Sequence, residues 1–216
     1  MPYRTPPEVA ERKQAKRRLI LDTAAQVFSQ KGYYGTTVKD VVQAAGVSVG
    51  SFYFYFTSKE ALFDALYDEM ASLLINLLGY SLEEGGQDPA CDLARAVTMA
   101  LWSFARNQPL SKLMLIESVG LDDQVQAHQQ RAQALLCQML ARDIARICRE
   151  GQASVPDPDC AALCFWGAIQ AVVTRWLLDG CQEDLLKKAY PLCMFLLGAL
   201  GIQADPQRMA AFIDSL

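Results

Sequence analysis

Charge is scarce in this chain and histidine almost absent. Only 20% of the 216 residues are charged, and His128 is the single histidine, with no Ser-His-acid triad assignable around it. Glycine and proline, 13 and 9 residues, make up about a tenth of the chain, which excludes collagen-like and low-complexity scaffolds. The seven cysteines, Cys91, Cys137, Cys148, Cys160, Cys164, Cys181 and Cys193, form no Cys-x-x-Cys pair. An odd number without that spacing argues against a disulfide framework or a zinc ribbon, and reduced thiols are expected. Cys160 and Cys164 share a helix face, but no further ligands stand with them, so no metal site and no cofactor are expected. The N-terminus has no apolar leader, and a cytoplasmic protein is expected. The longest uncharged runs, Cys160–Thr174 and Ala189–Ala204, count 15 and 16 residues. Both fall short of the roughly 18 to 20 residues of a membrane span, and they read as buried helices. No segment alternates as a strand does, and no repeat of 20 to 50 residues is found.

What is present is a globular composition, 52% hydrophobic, with a split in charge. Residues 1–60 hold nine Lys/Arg against five Asp/Glu, a net +4; residues 61–216 hold eleven against nineteen, a net −8. A basic front and an acidic body are the first functional clue.

Helical periodicity and capping residues divide the front. A first helix is predicted over Glu8–Lys31 and stopped by Gly32. Thr37 and Asp40 match a capping box at the start of a two-turn helix with Val38, Val41, Val42 and Ala45 on one face. Gly46 falls where a left-handed terminator is needed, and Ser48 can cap a third helix in which Val49, Phe52 and Phe56 face inward. Thr57 and Glu60 form a second capping spacing before a long amphipathic helix to about Tyr80. Glu83–Pro89 reads as a linker, followed by helices near 90–106, 109–119, 122–150, 157–179, 183–200 and 206–215.

Two short helices joined by Gly46-Val47-Ser48 read as a helix-turn-helix, the second member of which lies in a DNA major groove. Val49, Gly50, Ser51, Phe54 and Tyr55 are left for base edges or backbone. Hydroxyls of Thr37, Ser48, Tyr53 and Tyr55 and the ammonium of Lys59 suit phosphate oxygens, and Lys39 can reach a base. The run Arg12, Lys13, Lys16, Arg17 and Arg18, with Arg4 upstream, adds phosphate or minor-groove contacts, a solvated helix face being the plain alternative.

Gly32-Tyr33, Thr36-Thr37-Val38, Ala44-Ala45-Gly46-Val47-Ser48, Gly50 through Phe56 and Ser58-Lys59-Glu60 together resemble the DNA-binding domain of TetR/AcrR-family regulators. The resemblance implies an all-α fold: a three-helix helix-turn-helix domain over 1–57 and a helical effector-binding and dimerisation domain over 58–216. It also implies a non-enzymatic homodimer reading a palindromic operator in double-stranded DNA, most simply a repressor released by a small molecule. Contact roles pass to Thr37, Lys39, Ser48, Gly50, Ser51, Tyr53, Tyr55 and Lys59. Val49 departs from the polar residue of many relatives and points instead to a thymine methyl.

In the body, the apolar segments near 157–179 and 183–200 are the expected dimer helices, since a monomer of this size could hardly cover them. Effector contacts are expected from polar and aromatic groups among apolar ones: Met99, Trp102, Met114, Glu117, Phe165 and Gln170, favouring a hydrophobic or amphipathic ligand. His128, among Gln126, Gln129 and Gln130, reads as a surface residue.

Overall fold

Local capping decides the front of the molecule. The computed structural model describes residues 7–83, 88–117 and 123–216, and every regular element among them is helical. Helix α1 (Pro7–Gly35) is broken at Gly32, whose φ of 73° suits a residue without a Cβ. Helix α2 (Val38–Ala45) opens with the reciprocal Thr37–Asp40 box and closes on Gly46 in the left-handed region. Helix α3 (Val49–Tyr55) starts where the Ser48 hydroxyl accepts the Ser51 amide at 3.1 Å. Helix α4 (Lys59–Glu83) is capped by Ser58, whose hydroxyl accepts the Ala61 amide at 3.1 Å. The expected cap at Thr57 is therefore displaced by one residue: Ser58 bonds the Ala61 amide, so the Thr57–Glu60 spacing does not mark the helix start.

Ile20, Ala24, Phe28, Val41, Phe52 and Phe56 bury together, and α4 adds Leu62, Phe63 and Leu66 to the same cluster. Farther along the same helix Met70, Ala71 and Leu74 enter a second, larger core. One continuous rod thus serves head and body.

The body comprises α5 (Pro89–Arg106), α6 (Gln108–Lys112), a π-helical turn (Leu113–Glu117), α7 (Asp123–Arg149), α8 (Pro158–Leu178), a 3₁₀ turn (Leu185–Lys188), α9 (Ala189–Ala199) and α10 (Pro206–Asp214). Asp88, Asp157 and Asp205 cap α5, α8 and α10 just ahead of a proline, which needs no amide partner there. The single helix expected over 109–119 is instead α6 and the π turn, with 118–122 outside the described residues. The linker residues 84–87 also lie outside them.

Helix α8 runs past its uncharged stretch to 21 residues and is, by length and composition alone, long and apolar enough to cross a membrane. That exceeds the sequence expectation. Only about a third of its most apolar window is buried. Cys160, Leu163, Cys164, Gly167 and Ala171 form an exposed stripe along it, and Phe195 of α9 is 65% exposed.

Candidate nucleic-acid interface and a cleft in the body

The buried side of α3 is Phe52, against which the head closes; its other side is left to solvent. Val49, Tyr53 and Phe54 are 50%, 53% and 65% exposed, and Gly50 and Ser48 are exposed beside them. Val49 therefore points outward, as the helix-turn-helix reading placed it and not inward as helical spacing alone had it: in a seven-residue helix, Phe52 and the following Phe56 already fill the core. Ser51 and Tyr55 are half-buried, the latter packed against the head core. Lys39 and Thr37 are exposed on α2 and at its cap.

Basic residues of α1 reach this face. The Lys13 ammonium lies 5.4 Å from the Phe54 ring centre, and the Arg17 guanidinium 5.3 Å from that of Phe56, cation–π distances that set both charges beside α3. Arg18 turns the other way, paired with Asp22 at 2.9 Å and with Glu69 of α4. Arg4 lies outside the described residues. Lys59 is half-buried and donates to the Tyr33 and Thr36 carbonyls at 3.0 and 3.1 Å, its ammonium 4.2 Å from the Tyr33 ring centre. It ties the α1–α2 turn to α4, which leaves one of its three N–H groups for a phosphate.

The Thr37–Asp40 box is electrostatically fixed. Asp40 accepts from Lys31 at 2.7 Å and from the Thr37 hydroxyl and amide at 2.6 and 2.8 Å, which holds its carboxyl well below the usual range. The box anchors the start of α2, the helix that carries the exposed Lys39.

In the body, a cleft of about 780 Å³ opens between α4, the π turn, α7 and α8. Met114 and Gln170 line it, as do Tyr67, Leu115, Gln126, Gln129, Gln130 and Gln133. Of the other expected ligand residues, Phe165 lines a separate cavity of about 40 Å³ among α5, α7 and α8. Met99 is half-buried away from the cleft. Trp102 is 40% exposed, with the Arg106 guanidinium 5.2 Å from its ring centre. The Glu117 side chain lies outside the described residues.

His128 departs from its surface reading. It is partly buried, and its Nε2 sits 2.7 Å from Asp68 Oδ1, linking α7 to α4. The neighbouring glutamines, read as solvent-facing, form a wall of the cleft. The signal was present as 126, 129, 130 and 133, one face of a helix by the i, i+3, i+4, i+7 rule.

Head and cleft meet at the π turn. Leu113 is buried in the head cluster with Leu110 packed against it, while the next two residues, Met114 and Leu115, line the cleft. Lys112 donates to the Ser29 carbonyl of α1 at 2.6 Å.

A helix-turn-helix head with an exposed basic and hydroxyl-bearing face, carried on an all-helical body, defines a DNA-binding regulator. Residues 20–66 match the family described as bacterial regulatory proteins, tetR family. The HTH-type transcriptional regulator TtgR of Pseudomonas putida is 30% identical over 182 residues, spanning 82% of this chain and 87% of that protein. The chain belongs to the TetR family of transcriptional regulators. The fatty acid degradation regulator FadR from Bacillus halodurans has the same fold, with a TM-score of 0.81 at 23% identity over 94% of this chain and 100% of its own. FadR from Bacillus subtilis, solved in complex with stearoyl-CoA, gives 0.77 at 20% identity over 83% and 96%.

Proposed function

We propose that the protein is a cytoplasmic, non-enzymatic homodimeric repressor that leaves a palindromic operator when a small molecule fills the body cleft. Residues 1–57 form the reading head and 58–216 the sensing and dimerising body, with the first turns of α4 completing the head core. The observation that carries the reading is the π turn, which puts Leu113 into the head core and Met114 and Leu115 into the cleft wall.

Lys39, Val49, Gly50 and Ser51 face base edges in this reading. Thr37, Ser48, Tyr53, Tyr55, Lys59 and Arg17 hold phosphates, and Phe54 packs under Lys13 at the groove edge. The exposed stripe of α8 and Phe195 of α9 pair across a two-fold axis, which removes their apolar surface from water. Met114 and Gln170 belong to the effector site; Phe165 supports it from behind. Met99, Trp102 and Glu117 are not assigned to the ligand. The stearoyl-CoA of the Bacillus subtilis relative shows that this fold can hold an acyl thioester, but that ligand is not carried over.

Filling the cleft displaces the π turn and, through Leu113 and the Lys112–Ser29 link, shifts α1. The population moves toward dimers whose heads no longer match major grooves about 34 to 36 Å apart. Titrating the purified chain against the duplex upstream of its own gene tests the reading. Two protomers per site are expected, with affinity falling by about a thousandfold or more between 50 and 200 mM salt. No binding at low salt contradicts it.

A further inference from the structure

Two thiols stand together outside the cleft. Cys160 and Cys164 are both exposed, one turn apart on the same face of α8. Helical residues four apart hold their Cβ atoms about 5 to 6 Å from each other. A disulfide brings Cβ atoms to about 3.8 Å, so an S–S bond between these two would require α8 to unwind. A single atom that takes one bond from each sulfur spans the extra length and leaves the helix intact. The sulfurs are within hydrogen-bonding reach, and Cys164, by charge and by that bond, is the main reason the Cys160 thiol is raised above its ordinary value. A thiol held protonated is a poor target for peroxide, which attacks thiolates. It remains open to a soft electrophile whose own leaving groups carry the thiol protons away.

The pair borders a groove of about 360 Å³ between α8 and α9. Val155, Phe195, Leu196 and Leu200 give it an apolar wall, Phe195 being 65% exposed. Apart from the thiols, its one ionisable lining group is Asp157, whose Oδ1 caps α8 by accepting the Asp159 and Cys160 amides at 3.0 and 3.1 Å. Among the described residues no three His, Cys, Asp or Glu side chains gather. A four-coordinate ion such as Zn²⁺ is therefore not served here. A two-thiol centre carrying a hydrocarbon arm is.

We propose that Cys160 and Cys164 chelate a trivalent organoarsenic, R–As(OH)₂, with its aryl or alkyl group lying against Phe195. The exchange needs no oxidant: two S–H and two As–O bonds break, two As–S bonds form, and each thiol proton leaves with a hydroxyl as water. Its consequence for DNA rests on the dimer reading above. There the α8 stripe and Phe195 face the partner, so the chelate occupies contact surface and binds the separated protomer, drawing the population away from the two-headed reader.

Phenylarsine oxide, which hydrates to this form, is the probe. Intact-mass spectrometry of the reduced full chain, after excess glutathione has stripped arsenic held by one thiol, should show one adduct per chain that dimercaptopropanol removes. Cys160→Ser and Cys164→Ser, both at exposed positions, should each lose that adduct while keeping the parent's circular dichroism. An adduct retained in either variant, or none in the parent, overturns the chelate. Against the same competitor, the methyl analogue should be displaced by less dimercaptopropanol than the phenyl one; equal resistance overturns the seat at Phe195. Sedimentation velocity separates the two readings. A parent that is monomeric without arsenic refutes the dimer and leaves the chelate standing, whereas a dimer that persists with the adduct bound overturns the coupling.

Discussion

Two carboxylates near the head sit in opposite electrostatic situations. Asp40, bonded to Lys31 and Thr37, has a depressed pKa, so its stabilising contribution is complete above the ordinary carboxylate value near 4 and is lost as pH falls through the depressed value. Asp64 is raised, chiefly by burial, against the pull of His128, and its Oδ1 is buried without a hydrogen-bond partner among the described residues. Its contribution is complete below the ordinary value and lost as pH rises through the raised one, so at neutral pH the ionised form is a cost. Asp64→Asn should raise the unfolding midpoint at pH 7, with the gain vanishing toward pH 4; an unchanged gain across that range in thermal scans would contradict this. Lys59 and Tyr53 divide similarly. Lys59→Ala removes two charge-assisted bonds to backbone carbonyls and should lower stability by about 2 kcal/mol as well as weaken DNA binding. Tyr53→Ala, at an exposed position, should weaken DNA binding with little change in denaturant midpoint. Equal destabilisation by the two would refute the distinction.

Helices differ in how openly the sequence announces them. The head is legible because its signals are local: the Thr37–Asp40 box, Gly46 and Ser48 each act within four residues, and all three stand where expected. The cleft is not, because it exists only where α4, α7 and α8 converge. Gln126, Gln129 and Gln130 read as solvated when α7 is considered alone. Trp102 reads as a pocket residue until its place on an outer face of α5, under Arg106, is seen. The π turn at 113–117 has no local marker, and it interrupts what periodicity predicted as one helix. The exposed stripe of α8 was readable from composition, since a helix apolar around its circumference needs cover on all sides. Phe195→Asp should shift the protein to monomer in sedimentation velocity while leaving its helical content unchanged. A dimer as tight as the parent's would place the interface elsewhere.

Across the whole chain, the acidic body and basic head account for a net charge of −4 that by itself argues against a nucleic-acid partner. The charge that matters is local: Lys13, Arg17 and Lys39 are exposed around α3, while Arg18 is taken up by ion pairs. Two such heads held at a fixed separation would read two half-sites, and in the proposed mechanism the π turn is the route by which a filled cleft alters that separation. The most direct test is selection of bound sequences from random duplex DNA by the purified full chain. The predicted result is one enriched palindrome with half-sites about one helical turn, 34 to 36 Å, apart. Enrichment of a single unrepeated site, or none at low salt, would contradict a two-headed reader.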